Sequence, residues 1–217
     1  MSKAFSMIRI SIVAGRLLVL SYFSLFVFTN MSAQKREHLI GFRAGYNISG
    51  IDTRPTLETK GISTNKNFSL LYTYYHDLWG TINLFGFQSG ISKNSAGYKM
   101  GDDIITYDVI SIPLVSQFHI DFWKMRLLIN AGGFGGYRIN KVSSDGTGFD
   151  EFDYRYDYGF IAGGGFAFKF KPLEIHLESN YNYSLSYLYN PKKYSSTEYL
   201  FTYPHSLIFS LTLYLHL

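Results

Sequence analysis

The feature that most constrains this chain is an alternation of apolar and polar residues with a period of two. It is clearest at 206–217, where Leu207, Phe209, Leu211, Leu213, Leu215 and Leu217 share one parity. Ser206, Ser210, Thr212, Tyr214 and His216 share the other, with Ile208 as the exception. At 173–185, Leu173, Ile175, Leu177, Tyr181, Tyr183 and Leu185 alternate in the same way with Glu174, His176, Glu178, Asn180, Asn182 and Ser184. Successive side chains leave a strand on opposite faces, so each segment has one apolar and one polar wall. A helix would need a period of 3.6.

Six further strands follow from the same pattern, near 39–48, 67–75, 81–92, 106–120, 125–139 and 156–169. In the third, Leu84, Phe85 and Phe87 do not share a face, which predicts a bulge. The connections alternate in length. Short ones fall near 76–80, 121–124 and 170–172; long ones, rich in Gly, Asn, Asp, Ser and Lys, near 49–66, 93–105, 140–155 and 186–202. Short turns at one end and long loops at the other is the bacterial outer-membrane pattern. The expectation is an all-β fold: an eight-stranded antiparallel up-and-down transmembrane β-barrel, with short turns and both termini periplasmic.

Three observations favour lipid, rather than an apolar core, against the greasy wall. The opposite wall is Gly, Asn and Ser with scattered charges, not the dense Lys/Glu coat of a soluble surface. Tyr181, Tyr183, Tyr187 and Tyr189 crowd a segment end, where aromatic girdles sit. The last strand runs to the end of the sequence. Charged residues make up 17% and aromatics 18%, against roughly 25% charged in an average soluble domain. A soluble periplasmic lipocalin-like binding barrel, which also alternates, is the alternative fold reading.

The N-terminal 33 residues read as a cleaved signal peptide. Lys3, Arg9 and Arg16 precede the apolar stretch 17–28, and Ala33 offers a cleavage position before Gln34. That stretch is shorter than the roughly 20 residues of a spanning helix. The barrel domain is then 34–217. The leader takes three basic residues and no acidic ones, leaving 17 against 16, so the formal +4 belongs mostly to the leader. Without a basic run there is no case for nucleic acid. The absence of cysteine excludes disulfides, thiolate metal sites, cysteine nucleophiles and acyl-cysteine anchors.

The mature region resembles the PorT-like outer-membrane β-barrel family of Gram-negative bacteria. The resemblance rests on IGFRAGYNISGI at 40–51, the Ile110-Ser111-Ile112-Pro113-Leu114 element, LLINAGGFGGYRI at 127–139, FIAGGGFAF at 160–168 and LEIHLESNYNYSL at 173–185. It implies an integral outer-membrane protein with a structural or interaction role, accessory to protein secretion or envelope assembly. The partners implied are outer-membrane lipids, periplasmic chaperones and the barrel-insertion machinery, and an envelope or secretion protein. Leu217 departs from the terminal aromatic residue of many such barrels.

No enzyme, cofactor or metal is expected. The histidines lack metal-ligand spacing, and the glycine clusters at 132–136 and 163–165 lie in strands without a following helix, so they are not phosphate loops. The polar parity predicts inward Arg43, His119, Arg126, Arg138, Lys169, Glu174, His176, Glu178 and His216. Eight strands leave an interior just wide enough for side chains, so buried charges there should pair. Arg43, Arg126, Glu174, His176 and Glu178 are the expected core of a structural lumen network, each carboxylate with its own cation. The enzymatic alternative is a lipid-modifying outer-membrane hydrolase drawing on His205, Ser206, Asp145 and Asp150.

Overall fold

The computed structural model describes residues 37–78, 82–144, 146–193 and 199–217; the expected signal peptide lies outside the described residues. Eight long strands form the wall: β1 (Glu37–Arg54), β2 (Thr59–Leu78), β3 (Ile82–Met100), β4 (Asp103–Phe122), β5 (Met125–Ser143), β7 (Tyr156–Phe170), β8 (Leu173–Ser184) and β9 (Phe201–His216). β6 (Gly146–Thr147) is a two-residue extension paired only with the end of β5. Every pairing is antiparallel, and the β4–β5 and β1–β9 ladders close the sheet on itself. The topology is up-and-down, as the alternation predicts.

The stagger of the closed sheet follows from its register. Starting at Ile40 and crossing through Tyr72, Ser89, Leu114, Gly133, Phe160, Tyr183 and His205, the path returns to β1 at Gly50, ten residues along. Eight strands closed with such a stagger enclose a lumen that side chains can fill. Glycine lets neighbouring strands approach: a Cβ on Gly163 would stand 2.2 Å from the Ser179 carbonyl oxygen.

Polarity is inverted relative to a soluble barrel. Phe42, Leu70, Ile91, Leu114, Ile129, Phe160, Leu177 and Leu213 are exposed on the outer wall. Arg126, Gln117, Glu174, His176 and Thr212 are buried on the inner one. The β2–β3 register shifts between His76 and Leu78, opposite the segment containing Leu84, where the broken alternation predicts a bulge.

Two expected long loops are strands instead. β1 and β2 run on through most of 49–66 and leave only 55–58 as a connection, and β3 and β4 leave only 101–102 across 93–105. The polar residues that read as loop there are lumen-facing or close an irregular ladder. Asn47 Nδ2 and Thr64 Oγ1 donate to the Ser95 carbonyl at 2.9 and 2.6 Å, and Ser49 Oγ donates to the Gly97 carbonyl at 2.9 Å. The other two expected long loops stand as connections, at 144–155 (around β6) and 185–200.

Candidate functional site

The lumen is stratified along its length. At the end carrying the short turns, Arg126 on β5 is fully buried among three carboxylates. Its guanidinium lies 2.9 Å from Glu37, 2.7 and 3.2 Å from the two oxygens of Asp121, and 3.4 Å from Glu174. It also sits 4.1 Å from the centre of the Tyr75 ring, a cation–π contact. Glu174 places one oxygen 3.0 Å from His176 Nε2 and the other 3.0 Å from His216 Nε2. Asp121 further holds Lys169 at 2.6 Å, and His119 packs edge-on against Tyr75.

One layer further in, Arg43 on β1 reaches across to Glu178 on β8 at 2.9 Å, and donates to Gln88 at 3.1 Å and Thr212 at 3.2 Å. The other Glu178 oxygen accepts from Asn130 Nδ2 at 2.7 Å and Gln117 Nε2 at 3.3 Å. The Tyr75 hydroxyl donates to Gln117 Oε1, and Gln88 Nε2 donates to the Tyr214 hydroxyl at 2.8 Å. A buried carboxylate loses several kcal/mol of hydration, which returns only if both oxygens are well paired. Here one oxygen faces a guanidinium and the other two amides.

Of the five expected network residues, Arg43 therefore meets Glu178, and Arg126 meets Glu174, which His176 also contacts. The two clusters belong to different layers. Sequence reasoning missed Glu37, Asp121, Gln117, Gln88, Tyr75 and Tyr214 as members. Gln117 and Tyr214 carry the polar parity that would have found them. Glu37 and Asp121 lie at strand ends that read as flanking sequence, and Tyr75 reads as an aromatic of the outer wall.

Glu37, Glu174 and His216 bring ligand atoms within 4.8 Å of one another. Arg126, 2.9 Å from Glu37, already supplies positive charge there. The cluster is an ion-pair network built around that guanidinium.

Beyond the Arg43 layer are two cavities of about 30 and 40 Å³, room for a few water molecules each. Above them Arg138 is again fully buried, 2.9 Å from Asp157, with its other nitrogen donating to the carbonyls of Tyr154, Tyr156 and Tyr187. An apolar plug then closes the mouth: Ile51, Ala96, Tyr98, Ile105, Tyr107 and Val109 from the wall, and Leu188 and Tyr189 from the 185–200 connection. Outside the plug, Asp153 binds Lys141 at 2.5 Å and Lys193 at 2.8 Å, and Asp150 binds Lys193 at 2.6 Å. Burial opposes ionisation of Asp153, but hydrogen bonds from the two lysines outweigh it and hold its pKa below the ordinary value. Burial likewise opposes the charge on Lys193, and the two aspartates outweigh it, raising its pKa.

Among the described residues, those proposed for a hydrolase are not brought together. His205 and Ser206 are consecutive in β9 and leave opposite faces. His205 stacks outside on Tyr181, Asp150 is engaged with Lys193, and Asp145 lies outside the described residues.

No protein-family model and no curated protein matches the chain. Among solved structures it is similar to Neisserial surface protein A, at 13% identity and a TM-score of 0.46, covering 81% of this chain and 96% of that one. It is similar to the N-terminal β-barrel domain of Pseudomonas aeruginosa OprF, at 11% and 0.42, covering 84% and 100%. It is also similar to the outer membrane protein OprG of the same organism, at 8% and 0.43, covering 85% and 98%.

Proposed function

We propose that this chain is an integral outer-membrane β-barrel with a structural or interaction role and a sealed lumen. The observation that carries this reading is the inversion of its walls. Leu70 and Ile91 are 59% and 61% exposed outside, while Arg126 and Glu174 are 0% exposed inside. Large contiguous apolar surface on a water-soluble monomer drives aggregation; against hydrocarbon it is at rest. A lipocalin-like carrier would require the reverse, an apolar calyx and a charged coat. Among the described residues the layered ion pairs and the plug fill the lumen, so in this reading the barrel is a sealed structural element and not a general porin.

In this reading the described ends of β1 and β9, which lie with the short turns, face the periplasm. The chain would reach the membrane through periplasmic chaperones and the insertion machinery. The PorT-like segments add a finer proposal, an accessory part in protein secretion or envelope assembly. A deletion strain with an unaltered secreted proteome and intact envelope would remove it.

Two measurements test the core reading. The refolded barrel should migrate differently on gels before and after boiling, and in planar bilayers it should show no large, stable conductance; sustained open channels would overturn the sealed lumen. Leu177→Lys then separates membrane from water. On a lipid-facing wall it should cost about 2–4 kcal/mol near mid-membrane, whereas on a soluble surface it would change stability by only about 0.5 kcal/mol or less. Urea unfolding in lipid vesicles reads the difference.

A further inference from the structure

The cavity of about 30 Å³ beyond the Arg43 layer is lined by Arg43, Ser69, Ser92 and Asn180, with Phe134 and Ile161 among its apolar residues. Its character follows from what each polar group has already spent. The Glu178 carboxylate accepts from Asn130 Nδ2 at 2.7 Å, and a carboxylate can only accept, so the orientation of that amide is fixed. Asn130 Oδ1 accepts from Gln117 Nε2 at 2.9 Å, and Asn130 Nδ2 donates a second time, to Asn180 Oδ1 at 3.0 Å. Asn180 is fixed in turn. Its oxygen is used, and its Nδ2 has no partner among the described residues.

Arg43 also keeps a donor in hand. Its Nε donates to Thr212 at 3.2 Å and its Nη2 to Gln88 and Glu178 at 3.1 and 2.9 Å, whereas Nη1 donates to no described residue. The side chain keeps 14% exposure within a filled lumen, and it lines this cavity. The acceptors nearby are spent. Gln88 Oε1 and Glu178 Oε2 take Arg43, Glu178 Oε1 takes Asn130 and Gln117, and Asn180 Oδ1 takes Asn130. Asn182 Oδ1 is sealed off from the space, and Asn94 stands between it and the second cavity, with Nδ2 3.5 Å from the Ser111 hydroxyl. The Ser69 and Ser92 hydroxyls can turn either way. A water molecule at the two open nitrogens would accept readily but find few partners for its own hydrogens; an anion has none to place.

We propose that this cavity binds one halide ion, held by Arg43 Nη1 and Asn180 Nδ2. The guanidinium supplies a charge-assisted donor, and the Arg43–Glu178 pair stays intact because it uses a different nitrogen. The chemistry favours a small, weakly hydrated monovalent ion. Part of the lining is apolar, with Phe134 and Ile161 in the wall, so a divalent oxyanion would lose more hydration than two open donors return. The ion ties β1 to β8 a second time, beside the ion pair that already joins them.

The test is anomalous diffraction from crystals of the folded barrel grown in sodium bromide, paired with urea unfolding in which bromide replaces gluconate at constant ionic strength. The wild type should show one enclosed bromide peak touching both nitrogens, and its urea midpoint should rise with bromide. Asn180→Asp keeps the oxygen that Asn130 needs and exchanges the open donor for a carboxylate oxygen. It should lose the peak and weaken the bromide dependence about tenfold or more, as a lost hydrogen bond to a charge implies. Ile112→Ala, on the outer wall, should keep both. Bromide peaks confined to the surface of the wild type overturn the proposal, whether or not Asn180→Asp folds. So does a bromide dependence that Asn180→Asp leaves unchanged; the cavity then holds water alone. Neither result touches the membrane reading, which Leu177→Lys tests separately.

Discussion

The two ends of the lumen solve the same problem with opposite chemistry. Around Arg126 and Arg43 the interior is filled with charges and amides paired across strands distant in sequence. At the far mouth it is filled with Ile51, Tyr98, Ile105, Tyr107, Leu188 and Tyr189, with the buried Arg138–Asp157 pair beneath them and the Asp150 and Asp153 pairs outside. The lower half is closed by eight continuous strands, which hold polar partners at fixed registers. The upper half is closed partly by a connection, tied down by one bridge between Asp153 and Tyr189 and by Arg138 on the Tyr187 carbonyl, and it buries apolar side chains whose contacts tolerate small displacements. Directional interactions dominate along the ladders, and non-directional ones dominate in the plug.

The lower half should therefore be the less forgiving. Glu178→Ala leaves Arg43 without its carboxylate and removes the acceptor of Asn130 and Gln117. Breaking a buried pair costs about 3–5 kcal/mol, and because the Arg43 side chain keeps 14% exposure the lower end of that range is expected. Urea unfolding in lipid vesicles reads the loss. A neutral result would show that Arg43 finds water in the neighbouring cavity, and the contrast between the two ends would collapse.

How far these layers were legible in the sequence depends on what each residue stands beside. The strands of β8 and β9 were legible almost residue by residue, because Leu and Tyr alternate there with Glu, His, Asn and Ser. The pairing of Glu178 with Arg43 was accessible as a topological inference, since β8 neighbours β9 and β9 closes onto β1. The extensions of β1 to β4 were not legible. Inside the barrel Asn47 donates to the Ser95 carbonyl, Ser49 donates to the Gly97 carbonyl and Asn67 accepts from the Ser95 amide, but small polar residues beside Gly carry the same composition as a solvated loop. The plug was invisible for a related reason: Leu188 and Tyr189 are apolar residues in a connection, and no periodicity says that a connection folds back into the mouth.

The upper half should yield more softly. Leu188→Ala removes buried apolar volume from the plug, and large-to-small changes of this kind cost about 2–5 kcal/mol, least where the surroundings can collapse. A connection can collapse more readily than a closed sheet, so about 2 kcal/mol is expected. The loss should also be local. Hydrogen exchange at the Leu188 amide, bonded to the Thr202 carbonyl at 3.2 Å, should accelerate more than exchange at the centre of β9. Uniform acceleration throughout the barrel would mean that the plug and the wall unfold as one unit, and that the two ends are less distinct than their chemistry.

The smallest effect belongs to the ion pairs outside the plug, and its pH dependence has a defined sign. Asp153 has a pKa below its ordinary value of about 3.9. Its contribution is therefore complete above that value and disappears as pH falls through the folded one. Lys193 has a raised pKa, so its contribution is complete below about pH 10 and disappears as pH rises through the folded value. Between roughly pH 5 and 10 the cluster should be insensitive to pH. The Asp153, Lys141 and Lys193 side chains keep 2%, 12% and 13% exposure, so solvent screens the pairs only in part and about 1 kcal/mol is expected, too little to move global unfolding but enough to change how often the connection lifts. The chain has no cysteine, so a spin label at a single Lys192→Cys can report on that motion alone. Its mobility should stay flat from pH 5 to 9 and rise below pH 4, and Asp153→Ala should reproduce the acid behaviour at pH 7. If Asp153→Ala leaves the label as constrained as in the unsubstituted protein, Leu188 and Tyr189 alone hold the mouth shut, and the charges outside the plug are solvated ornaments of the rim.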